Sequence, residues 1–119
     1  MWVYEQSTGR MYHNGVLMFE DGWAGAVGYK NKPEYQCLKD KGPLPRGRYT
    51  INAPKTGVTG SYSLPLTPDS SNQMCNRNAF LIHGSNRKDP ASSSTGCIIL
   101  SLQQRKDIWK SNDYILEVR

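Results

Sequence analysis

The chain has 119 residues, 37% of them hydrophobic and 10% aromatic, which is enough for one domain with a real core over residues 1–119 and too little for two. Its 15 Lys and Arg against 10 Asp and Glu give a net charge of +5 without any block of like charge, so the excess reads as a solvated surface that at most favours an acidic polymer such as cell wall or nucleic acid. No stretch approaches the ~20 apolar residues of a membrane span, and the start, Met1 to Arg10, lacks a basic segment followed by an apolar run, so neither an anchor nor a signal peptide is expected.

Trp2 to Gln6 and Arg10 to His13 read as short strands around Ser7-Thr8-Gly9, and Asn14-Gly15 then supplies a type I′ hairpin turn leading into Val16 to Phe19. The run Gly22, Gly25, Gly28 with Ala24 and Ala26 reads as loop or irregular edge that lines a cleft. Gly42-Pro43-Leu44-Pro45-Arg46-Gly47 is a fixed corner, and Arg48 to Ile51 alternates as a strand does. From Thr56 to Asn78 the composition predicts a long loop with Tyr62 to Leu66 as its one strand. Ala79 to His83 and Cys97 to Leu100 read as buried strands joined by a polar loop from Gly84 to Thr95. Ser101 caps a helix whose Leu102, Arg105, Ile108 and Trp109 share one face, and Tyr114 to Val118 is the last strand. Eight or so short strands with one C-terminal helix predict a mostly β fold, a sandwich or open barrel.

Three cysteines leave an odd count. A Cys37–Cys75 bridge would close a loop of about 38 residues, stabilise by roughly 3 to 4 kcal/mol on the chain-entropy model, and require an oxidising compartment. The alternative is three reduced thiols, two of them small buried hydrophobes.

The chemistry-bearing segment is His83-Gly84, then Thr95-Gly96-Cys97, with the histidine 14 residues ahead of the cysteine. A thiol becomes a nucleophile when a neighbouring imidazole takes its proton, and the resulting ion pair holds a thiolate. Gly96 permits unusual φ values and close substrate approach, which suits an oxyanion hole built from backbone N–H groups, with Thr95 and Gly84 as backbone support. The same residues also fit a strand-end turn followed by a core segment. Spacing indicates no acidic third partner, since Asp89 lies inside the loop, and a backbone carbonyl could orient the imidazole instead. His13, in the hairpin turn, reads as structural. Cys75, His83 and Cys97 lack the close ligand pairs of a zinc site, and phosphate-loop and dinucleotide fingerprints are missing, so neither metal nor cofactor is expected.

Histidine before cysteine excludes the papain-like order, and sortases space the two much further apart. His83-Gly84 followed by Ser94-Thr95-Gly96-Cys97-Ile98 resembles the signature of the L,D-transpeptidases, with Thr95 where the usual members carry a second histidine and Ser85 where many relatives carry Asp. Tyr4 to Gly15, Gly25 to Lys32, Lys41 to Tyr49 and Leu64 to Leu66 are similar to the L,D-transpeptidase-like effectors of type VI secretion. That resemblance implies an L,D-transpeptidase-like β-sandwich, Cys97 as nucleophile and His83 as base. It implies Tyr29, Asn31, Ser85 and Ser94 as substrate-binding residues, and peptidoglycan stem peptides containing meso-diaminopimelate as substrate. It further implies a monomeric toxin, delivered without a signal peptide to the periplasm of a rival cell, with an immunity protein and a secretion-system component as partners and neither nucleic acid nor membrane among them. The competing readings are a non-catalytic peptidoglycan-binding module and a housekeeping wall enzyme of the producing cell.

Overall fold

The computed structural model describes residues 1–85 and 93–119, where ten strands and one α-helix are found. Strand β1 (Trp2–Tyr4) pairs antiparallel with β2 (Met11–His13), and β2 with β3 (Val16–Phe19). The β2–β3 turn holds Asn14 at φ 49° and Gly15 at φ 83°, the two positive values that the Asn-Gly pair predicts. Strand β4 is Trp23–Ala24, β5 is Gly47–Ile51, β6 is Lys55–Gly57, β7 is Gly60–Pro68, β8 is Leu81–His83, β9 is Ile98–Ile99 and β10 is Ile115–Val118; a 3-10 turn spans Pro33–Tyr35. The helix α1 covers Leu102–Lys110.

The strands form one open sheet in the order β3-β2-β1-β10-β5-β7-β8-β9-β4, with β6 added on β7. The mostly β class with one short C-terminal helix is therefore as expected. Its layers arise from a single sheet that shares β7: Leu66 to Pro68 pair with β5, whereas Leu64 and Pro65 pair with β8. Alternation then sends Tyr49 and Ile51 of β5, Leu64 and Leu66 of β7, and Leu116 and Val118 of β10 into one core with Trp2, Tyr4, Ile82 and Ile98. No helix among the described residues is long and apolar enough to cross a membrane.

Two sequence expectations change, on β7 and on α1, and the reading of the glycine run is sharpened. The Thr56–Asn78 stretch is not one long loop, because its first part forms the β6–β7 hairpin, and β7 is a nine-residue strand. The predicted strand Tyr62 to Leu66 is its middle, and polar, proline-rich composition hides the rest: Pro65 has no N–H to give, but its carbonyl accepts the Asn52 N–H at 2.9 Å. The glycine run from Gly22 is an edge, of which Trp23 and Ala24 pair with β9. On α1, Arg105 and Ile108 are buried and Trp109 stacks on Tyr114, but Leu102 stays 44% exposed. At 3.6 residues per turn Leu102 lies about 60° beyond Arg105, away from the Arg105–Ile108 line that faces the sheet. The cap on Ser101 forms as a full capping box, with Gln104 N–H on Ser101 Oγ and Ser101 N–H on Gln104 Oε1.

His13 stacks on Trp2 and pairs through Nε2 with Asp113 at 2.9 Å, a structural setting far along the sheet from β8 and β9. Asp89 and the middle of the loop expected between Gly84 and Thr95 lie outside the described residues.

Candidate active site

Parallel pairing of β8 with β9 brings His83 and Cys97 together. The register sets Ile82 against Ile98 and His83 against Ile99, so Leu81 stands opposite Cys97. Ile82 and Ile98 point into the core, and the period-2 alternation turns Leu81, His83 and Cys97 to the other face. His83 and Cys97 are thus diagonal neighbours, with Cα atoms about 8 Å apart at ordinary strand spacing. Both line a cleft of about 600 Å³ whose walls include Val58 and Gly60 of the β6–β7 hairpin, Ser85 and Thr95. A second cleft, of about 320 Å³ and lined by Lys39, Asp40 and Arg77, also reaches Cys97.

The imidazole is 6% exposed and its Nδ1–H donates to the Gly84 carbonyl at 2.9 Å. A carbonyl can only accept, so the proton sits on Nδ1 and Nε2 is left bare as a base. Burial pushes the His83 pKa below its ordinary value, the Gly84 bond opposes this, and the Arg105 guanidinium lowers it further. Cys97 moves the other way: desolvation pushes its thiol up, while the Leu81 N–H, which donates to Sγ at 3.3 Å, and the Arg77 charge pull it back. Both shifts favour the neutral forms, thiol and imidazole, over the ion pair. No hydrogen bond runs between them among the described residues, a looseness common in sites without substrate. What such an arrangement can do chemically is general-base transfer from thiol to imidazole during attack.

The loop carrying the thiol is held from three sides. Ser94 is 1% exposed, and its hydroxyl donates to the Cys97 carbonyl at 2.7 Å and accepts from the N–H groups of Gly96 and Gly25, each at 3.0 Å. The Gly96 N–H, expected as an oxyanion donor, is thus used inside the loop, and Ser94 acts as scaffold. Leu44 N–H donates to the Gly96 carbonyl at 3.0 Å, which docks the Gly-Pro corner directly on the loop that carries Cys97. Arg77, 6% exposed, closes the structure: Nη1 donates to the Gln36 and Pro43 carbonyls and Nη2 to those of Gly42 and Thr95, at 2.6 to 3.1 Å. Gly96 sits at φ 146°, and a Cβ there would come within 2.5 Å of Arg77 Nη2, so glycine is required by conformation and by space. Cys37 and Cys75 form a disulfide with Cα atoms 5.2 Å apart, next to Gln36 and two residues from Arg77.

Of the other residues singled out from sequence, Ser85 is exposed in the cleft, and Thr95 lines it while lending its carbonyl to Arg77. Tyr29 and Asn31 do not line it. Tyr29 packs edge-on against Tyr35, and Asn31, at φ 56°, accepts the Ala24 N–H at 3.1 Å and so ties its loop to β4. Sequence reading missed Arg77, hidden in a polar loop, and took Arg105 only as part of a helix face. Among the described residues no group of three His, Cys, Asp or Glu gathers that could hold a metal.

Comparison with curated proteins yields no match. The model of the Tlde1 domain matches residues 19–117, which takes in β4 through most of β10 and so β8 and β9, the Gly-Pro corner and Arg77. With that share of its length matched, the chain belongs to the Tlde1 domain family, a family of type VI secretion effectors.

Proposed function

We propose that this domain is a cysteine acyltransferase of peptidoglycan stem peptides, an L,D-carboxypeptidase or L,D-transpeptidase acting at the diaminopimelate–D-alanine bond. The observation that carries the reading is the diagonal placement of Cys97 and His83 on one face of paired strands, with the imidazole held as a base by Gly84. His83 Nε2 takes the thiol proton as Sγ bonds to the diaminopimelate carbonyl carbon. Collapse of the tetrahedral centre breaks the C–N bond, and the same proton leaves on the amine of D-alanine. Water then releases the acyl group, or an amine from a second stem accepts it. The two clefts that meet at Cys97 are suited to a donor on one side and an acceptor on the other.

Membership of a type VI effector family supports delivery into a rival cell and action on the wall from its periplasm, with an immunity protein as partner. The test is D-alanine release from synthetic tetrapeptide stems. Cys97→Ala and His83→Ala are each expected to abolish it, and turnover retained without the thiol would overturn the reading. Peptide binding that survives both substitutions, with no release by the unmodified protein, would make the domain a binding module instead.

A further inference from the structure

Arg105 is as buried as Arg77, at 6% exposure, yet its surroundings are of another kind. Its guanidinium lies against Gly84, where a Cβ would meet Nη1 at 2.7 Å, so it stands beside the residue that orients His83. Its side chain makes no hydrogen bond or ion pair with a described residue, and its Nε is buried without a partner. A guanidinium removed from water and left unmatched is costly, and it is stable there only where a ligand or solvent can reach it.

Two clefts reach it. One, of about 370 Å³, runs past Asp21, Trp23 and Ser101, and the other, of about 260 Å³, past Ser61 and Leu102. Both share Gly84 and Ser85 with the cleft of Cys97, and the smaller also shares Thr59 and Gly60, so the three are continuous. Trp23 brings a second, independent sign of a missing acceptor, because its indole N–H is also buried without a partner among the described residues. Asp21, the acid on the rim, is exposed and accepts from Gln104 Nε2 at 2.8 Å.

We infer that Arg105, with Trp23 beside it, forms a carboxylate-binding subsite that fixes the substrate relative to Cys97 and His83. A carboxylate is the planar anion whose two oxygens match a guanidinium fork, and a buried unpaired arginine rewards that match most. The inference rests on the acyl-transfer reading for its choice of ligand. In a stem peptide two carboxylates lie close to the scissile carbonyl: the terminal carboxylate of the departing D-alanine, and the carboxylate at the far end of the diaminopimelate side chain. Either would bring one negative charge to the one buried cation of this cleft that the described residues leave unmatched.

The experiment separates the two sources and separates the subsite from the chemistry. Cys97→Ala protein, which cannot turn over, is titrated calorimetrically with a tetrapeptide stem, with its C-terminal carboxamide, and with its diaminopimelate side-chain carboxamide. One carboxamide is expected to bind about tenfold to a hundredfold more weakly than the parent, identifying the carboxylate held. Adding Arg105→Gln should erase that difference, and Arg105→Lys should keep part of it. Equal binding of all three peptides, no binding of any, or an equal weakening of all three by Arg105→Gln would overturn the inference. The comparison of peptides needs no Arg105 variant, so it decides even if that variant fails to fold. Carboxylate discrimination by a protein whose unaltered form releases no D-alanine would keep the subsite and reject the acyl-transfer reading; release without discrimination would do the reverse.

Discussion

The two sides of the candidate site each bury an arginine, and they use it in opposite ways. On the Cys97 side Arg77 spends its guanidinium on four backbone carbonyls, drawn from Gln36, the Gly-Pro corner and the loop that carries Cys97. On the His83 side Arg105 has no such partner among the described residues and faces open clefts. The first side is complete without a ligand and the second is not. A satisfied buried cation belongs to the scaffold, whereas an unsatisfied one marks where stability has been given up for binding.

That contrast can be broken by mutation. Arg77→Ala should lower unfolding free energy by about 3 to 5 kcal/mol, since it strips donors from several buried carbonyls at once. Arg105→Gln should stay within about 1 kcal/mol of the unaltered protein, because no described partner is lost. Denaturant unfolding checks both, and similar losses at the two positions would show that the two arginines are not different in kind.

Reduction of the Cys37–Cys75 bond, or Cys37→Ser with Cys75→Ser, is the next largest effect. The closed loop has a separation of 38 residues, which the chain-entropy model puts at about 3 to 4 kcal/mol. Because the bond joins the segments that Arg77 also joins, its loss should act on the Cys97 side first. Hydrogen exchange should rise at Gly96 and Leu44 before it rises at Gly84; uniform loosening would argue against a separate scaffold on that side.

The smallest effect is electrostatic. His83 is held below its ordinary pKa by burial first and by the Arg105 charge as well, so its imidazole should titrate below about 6.5 when followed by NMR. Removing a nearby positive charge makes protonation easier, so Arg105→Gln should move the midpoint upward, while Arg77 is not among the causes of the His83 shift. The linked stability has the same sign. The folded state resists protonating His83, so this group's contribution is fully present above the ordinary imidazole pKa and is lost as pH falls through the lowered one.

Local signals in the chain carried much of this. Asn14-Gly15 specifies its turn by the φ values it tolerates, and Ser101 with Gln104 specifies the start of α1, because both devices act within four residues. His83 and Cys97 were legible as ends of two apolar runs, and the family pattern joined them. What stayed hidden is non-local. The middle of strand β7, Tyr62 to Leu66, is legible, but its ends and its hairpin partner β6 read as loop until the fold pairs them. Ser94 looks like any loop serine until Gly25, Gly96 and the Cys97 carbonyl are seen around it. Arg77 and Arg105 differ only in what the fold brings to each, and no spacing in the sequence records that.

The most direct test of the central claim is the intact mass of the protein after incubation with a tetrapeptide stem or a carbapenem, followed by mapping of the modified peptide. A covalent acyl adduct on Cys97, lost in Cys97→Ala and strongly slowed in His83→Ala, is the predicted result. D-alanine release without any adduct on Cys97, or an adduct that forms equally fast without His83, would contradict it.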